Sequence, residues 1–305
     1  MLPEKERSKE FGTKVSPHII NEYGKLKKVL VVPTPSEITA NKDIPNINPI
    51  FEKTRQNSNS EEKYIVYPGA SECHAKLLTV LEDHGVSLIY SNVKPTQEYH
   101  TPLFTRDVGV IIEDVYIPSS MNFGYRQIEV PSALAIINPD NVFLTDIPYK
   151  IEGGDVVYLE KDLLLIGIGP RTDANGLNLL KFLFPEKEIV SFSTVRKDKA
   201  FHIDTNLGIL GEKLLVYLPE LVPAEIVSFL TEREYTFVEA SPEEYETCCT
   251  NVLALSDRKV IAPAENIETN NRIRQSGVEV IEVELKDILS FGGGPHCLTL
   301  PLLRE

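Results

Sequence analysis

Four times along the chain a polar residue leads an apolar run, two polar residues interrupt it, and a second apolar run comes after. The copies are Asp107 before VGVII-ED-VYIP, Asp155 before VVYLE-KD-LLLIG, Asn206 before LGILG-EK-LLVYLP and Asn251 before VLALS-DR-KVIAP. Short apolar runs joined by two polar residues predict β-hairpins. The lead residues recur at about 45–50 residues, a spacing typical of repeat architectures. The segment after each hairpin recurs as well. Helical patterns are expected in GLNLLKFLF, PAEIVSFLTERE and AENIETNNRIRQSG, the last closed by Gly277. Strands EIVSFS, YTFVEA and VEVIEV come next. The copy led by Asp107 is less regular, with a helix expected in SALAIINPD and a strand in VFLTD.

The N-terminal part carries an incomplete copy: strand LKKVLVVP, helix GASECHAKLLTVLEDHG and strand VSLIYS. Its missing first strand is supplied by the last apolar run, Leu298–Pro301, directly after Cys297. Pairing the two ends gives five ββαβ units in a ring and leaves no exposed sheet edge. The fold class is therefore α/β, with residues 1–305 as one domain. The polar stretch 41–63 has no clear period and is expected to be a mobile surface loop.

In such a ring, equivalent residues converge on the axis. The leading positions Asp107, Asp155, Asn206, Asn251 and Cys297 then meet, flanked by TRD at 105–107, EGGD at 152–155, HID at 202–204 and GGGPHC at 292–297. Buried carboxylates are costly unless paired, and a cationic ligand pairs them. Each motif taken singly reads as a cap, a turn or a buried thiol; their shared repeat position is what points to a site.

Composition narrows the partners. The net charge of −14 argues against nucleic acid and anionic membrane. No apolar run reaches the length of a membrane span, and MLPEKERSKE is too charged for a signal peptide. The four cysteines lack metal or CxxC spacing, and the six histidines are scattered. Free thiols in the cytoplasm, with no metal and no cofactor, are expected. A homo-oligomer is compatible with this reading.

EGGD, FHIDT and GGGPHC, in this order, resemble the guanidino-group-modifying superfamily, the penteins: arginine deiminases, agmatine deiminases, dimethylarginine hydrolases and amidinotransferases. The resemblance runs from EYGKLKKVLVVP to the last strand. It implies a five-fold pseudosymmetric α/β propeller and a small guanidine substrate, arginine or a close analogue. It implies Cys297 as nucleophile, His202 as proton donor and later base, and Glu152 as the residue holding His202. Asp107 and Asp204 grip the guanidinium, with Asp155 as helper. Arg171 in GPRTDANG, and more loosely Arg126 in GYRQIE, match arginines that bind a substrate carboxylate. His296 stands where arginine deiminases carry arginine.

The resemblance favours deimination of arginine to citrulline and ammonia, or the same attack on an arginine analogue. An amidinotransferase shares the chemistry up to the covalent intermediate and remains the alternative. A non-catalytic pentein that binds a macromolecule is a third reading.

Overall fold

A computed structural model describes residues 14–44, 48–58, 61–96, 98–194 and 202–305. Three hairpins form where the apolar runs predict them. Val156–Glu160 pairs antiparallel with Leu163–Ile168, Leu207–Gly211 with Leu214–Tyr217, and Leu253–Ser256 with Lys259–Pro263. The second strand of each then pairs in parallel with Glu188–Ser193, Thr236–Glu239 or Glu279–Val283. A parallel pair needs a crossover. Helices Ala174–Leu183, Ala224–Thr231 and Ile267–Gln275 supply it.

Local chemistry fixes these elements. Asp173 caps its helix by accepting from the Gly176 N–H at 2.9 Å. Gly277 comes after the Ile267–Gln275 helix with φ +83°, a conformation open to glycine without steric cost. All three hairpins carry a register irregularity at the same place, between Tyr158 and Glu160, Ile209 and Gly211, and Ala254 and Ser256. Strands such as Leu214–Tyr217 are buried along their whole length. That is why they read as continuous apolar runs rather than alternating ones.

The chain ends pair as the incomplete N-terminal copy requires. Leu300–Arg304 lies antiparallel to Leu26–Val31, which lies parallel to Ser87–Tyr90 after helix Ala70–Asp83. The result is a mixed α/β fold of five sheets and one small ribbon among the described residues.

The hairpin of the copy led by Asp107 also forms where its apolar runs predict it, but three other expectations change. In the copy led by Asp107, Gly109–Ile112 and Val115–Pro118 form a two-stranded sheet. The VFLTD run adds one bridge, Tyr116 to Val142, and Leu144 beyond it is 72% exposed. The helix expected in SALAIINPD shrinks to Pro131–Leu134, since Ile136 and Asn138 pair with the backbone of Val15 instead.

The stretch 41–63 is not a plain loop. It contains helix Pro49–Asn57, between strands Thr39–Asn41 and Tyr64–Val66 that pair with one another. Asn48 caps the helix by accepting from the N–H groups of Ile50 and Phe51, and Pro49 occupies the first turn. Only Ile50 and Phe51 of this helix are buried, too few to print a period on the sequence. Residues 45–47 and 59–60 lie outside the described residues.

Candidate active site

The predicted catalytic and guanidinium-gripping residues stand on or beside three short 3₁₀ turns and one glycine-rich loop, while Arg126 stands on a further turn, Gly124–Glu129, and Arg171 precedes helix Ala174–Leu183. Thr105–Val108 carries Arg106 and Asp107; Gly153–Asp155 comes directly after Glu152, and Ile203–Thr205 directly after His202. Each turn leads into a hairpin, so the repeat brings them side by side. Two glycines permit the approach. A Cβ on Gly153 would lie 2.0 Å from the Arg106 carbonyl oxygen, and one on Gly154 would lie 2.5 Å from His202 Nδ1. The glycine-rich loop joins them where the Arg106 N–H donates to the Cys297 carbonyl at 3.2 Å. Phe201 of the FHIDT motif lies outside the described residues.

Cys297 is 4% exposed and held from two sides. Asn251 Oδ1 accepts from the N–H groups of Gly294 and Cys297, at 3.0 and 3.1 Å. Asn251 Nδ2 donates to the Asp204 carbonyl and to Cys297 Sγ, both at 3.0 Å. The thiol itself faces Asp204 Oδ2 at 3.3 Å.

His202 Nε2 contacts Glu152 Oε2 at 2.9 Å, and Nδ1 lies 3.3 Å from Asp107 Oδ1. Arg171 Nη1 is 3.4 Å from Glu152 Oε2 and 3.3 Å from His202 Nε2. Arg126 is locked by carboxylates of the protein. Its Nε and Nη2 donate to Glu129 at 3.0 and 2.8 Å, and Nη1 donates to Asp107 Oδ2 at 2.9 Å. Thr101 Oγ1 donates to Glu129 from the other side at 2.6 Å.

This packing sets the charge states. Burial pushes the Cys297 thiol well up, and Asp204 and Asp107 push it further. Burial works to lower His202, but Asp107, Asp155 and Glu152 overcome it and lift the imidazole to about 9. Burial opposes ionisation of Glu152, yet Arg171, His202 and Arg126 hold its carboxyl below the ordinary range. Asp155 differs. Burial pushes it up to about 7, against His202 and Thr172, and its Oδ1 accepts from the Ile203 N–H at 3.3 Å.

One cavity collects the reactive groups. Cys297, His202, Asp107, Arg126 and Arg171 line it, with Phe104, Phe123, Tyr125, Phe291, His100 and Asn48. Asp204 reaches it through its contact with the thiol. Glu152 and Asp155 stand behind this lining. Asp204 Oδ1 is a buried acceptor with no hydrogen bond among the described residues, and Asp107 Oδ1 has none either but lies against His202 Nδ1 at 3.3 Å. Asp107, Glu152 and His202 offer three potential ligand atoms within 4.8 Å of one another. Arg126 and Arg171 already neutralise these carboxylates, so the cluster reads as an ion-pair network rather than a metal centre.

Sequence reasoning did not find Glu129, which holds Arg126, or Glu22, which contacts His296 Nε2 at 2.7 Å. Glu22 gave no repeat signal, and Glu129 stands in the least regular copy.

The family described as "N,N dimethylarginine dimethylhydrolase, eukaryotic" matches residues 34–304. The chain belongs to this family. It is thereby a member of the guanidino-group-modifying superfamily that its motifs resemble. The uncharacterized protein YkgA of Bacillus subtilis (strain 168) is 29% identical over 93% of this chain and 94% of its own length. Arginine deiminase 1 of Staphylococcus epidermidis is 26% identical, over 52% of this chain and 48% of that enzyme. This chain thus matches about half the length of that deiminase. Among solved structures, the product-bound N-terminal domain of ArgZ, an arginine dihydrolase from the ornithine-ammonia cycle in cyanobacteria, has a TM-score of 0.75. It is 20% identical, covers 91% of this chain and 97% of that one, and speaks to the fold.

Proposed function

We propose that the protein hydrolyses the guanidinium group of arginine or a close analogue, methylated arginines included, through a covalent intermediate on Cys297. One observation carries this reading: two buried carboxylates beside a buried thiol, Asp204 with Oδ1 free of any hydrogen bond among the described residues and Asp107 with Oδ1 facing His202 at 3.3 Å. A guanidinium is planar, permanently charged and rich in donors, and such acceptors suit it. Its charge would also relieve the carboxylates that hold the thiol protonated, so the nucleophile is released when substrate arrives.

In this reading the Cys297 thiol gives up its proton to solvent as the cation docks, Sγ bonds to the guanidino carbon, and the carbon–nitrogen bond to the departing amine breaks. His202, protonated at neutral pH, gives its proton to that nitrogen, and Glu152 holds the imidazole in place. Water, deprotonated by His202, then displaces the sulfur and leaves a ureido product. Asp155 supports the loop of His202 rather than the substrate. Arg126 orients Asp107, which leaves Arg171 as the group for a substrate carboxylate. The five units are read as a five-fold propeller of a single domain. The end-to-end pairing and the superfamily membership support that arrangement.

The test is a screen of arginine, methylated arginines and agmatine, assayed for ammonia, alkylamine and ureido products. Release from arginine or a methylated arginine without an added amine is the expected result. Turnover only with an added amine would instead establish the amidinotransferase. No turnover of any guanidine under either condition would overturn both.

A further inference from the structure

The histidine that replaces arginine in the GGGPHC loop does not line the cavity with the thiol. It sits on the far side of Asp204. His296 Nδ1 contacts Asp204 Oδ2 at 2.8 Å, and Nε2 contacts Glu22 Oε2 at 2.7 Å. Glu22 is itself fixed. Its Oε1 accepts from the Tyr158 N–H at 3.1 Å, its own N–H donates to the Tyr158 carbonyl at 3.0 Å, and Arg106 Nη1 lies 3.5 Å from Oε2. All three members of the chain Glu22–His296–Asp204 are more than nine-tenths buried. They come from three distant parts of the sequence and end on the sulfur of Cys297.

We propose that Glu22 and His296 are positioning residues that hold the Asp204 carboxylate with Oδ2 against the Cys297 thiol and Oδ1 left for the guanidinium. The inference rests on the guanidine hydrolase reading for its purpose, but its geometry stands alone. A buried carboxylate without a donor relaxes by rotating or by taking a proton. His296 prevents both. Because each ring nitrogen has its own carboxylate, the ring cannot turn without breaking one contact. Glu22, anchored on backbone, is the fixed end of the strut.

The groups that face Asp204 are His296, Cys297, His202, Arg106 and Cys248. Burial raises its carboxyl, and His296 is the first of the neighbours that hold it below the ordinary range. Removing the histidine therefore moves Asp204 upward. A merely structural His296 would weaken the protein at every pH without moving that titration.

The experiment tracks the carboxyl carbon of Asp204 by NMR against pH in the full chain, the signal being identified by its loss in Asp204→Asn. His296→Asn is expected to raise the Asp204 midpoint by about one pH unit or more. Glu22→Gln is expected to raise it less, in the same direction. Guanidine turnover by both variants should fall off below the new midpoint and recover above it. Unchanged midpoints in both variants would overturn the proposal. If His296→Asn does not fold, Glu22→Gln decides, since glutamine keeps the size and can still accept from the Tyr158 N–H, while the arm facing His296 Nε2 loses its charge. Shifted midpoints in an enzyme whose wild type turns over no guanidine would leave the strut standing and the hydrolase reading fallen.

Discussion

The protonation of Cys297 and of His202 is set by burial and by the charges beside them. The thiol has a carboxylate oxygen at 3.3 Å and is pushed well up, so alkylation by a neutral reagent should be slow at neutral pH. Asp204→Asn removes that charge. The alkylation profile should then move to lower pH by about one unit, and an unmoved profile would discount the contact. His202 runs the other way. Its folded value of about 9 exceeds the ordinary 6.5, so it contributes stability in full below pH 6.5. That contribution is lost as pH rises through about 9. Thermal melting of the wild type should therefore decline over this window more steeply than that of His202→Asn. Parallel curves would contradict the assigned ion pairs. At this scale the convergence of Cys297, Asp107, His202 and Asp204 was legible, because Cys297 and Asp107 lead repeated strands and His202 and Asp204 flank the leading Asn206. Glu22 and Glu129 were not, because a side chain reaching in from an irregular segment leaves no spacing to read.

Between the residues and the fold stand the short turns that lead into the hairpins. They are close enough to meet only because Gly153 and Gly154 lack side chains. A Cβ at Gly153 would face two backbone oxygens, at 2.0 Å on Arg106 and 2.4 Å on Gly109, and backbone cannot step aside cheaply. Gly153→Ala should cost about 1–3 kcal/mol or more and separate Asp107 from His202. A melting temperature equal to wild type would contradict this packing. The hairpins were readable from their apolar runs, and the helices after them from their helical patterns, one of them closed by Gly277. Helix Pro49–Asn57 was not, since two buried side chains make no stripe. Its signal was the Asn48–Pro49 start, a cap beside a first-turn proline, inside otherwise polar sequence.

On the scale of the molecule, the order of the repeats places the Cys297 thiol. Cys297 belongs to the last loop, and the strand after it completes the sheet of the N-terminal unit. Deleting residues 300–305 removes the strand paired to Leu26–Val31 and should abolish cooperative unfolding, as measured by circular dichroism. A truncated chain that melts like the full one would show that the end pairing is dispensable. The end-to-end pairing was legible because the first unit lacks one strand and the last apolar run supplies it. The thin sheet of the second unit was not, since Leu144 and Ile147 look like strand residues yet stand exposed. The most direct test of the whole reading is labelling with a cationic haloamidine, and then peptide mapping. The account predicts one modified residue, Cys297, and protection by arginine or a methylated arginine. Modification of Cys73, Cys248 or Cys249 instead, or labelling that no guanidine slows, would contradict it.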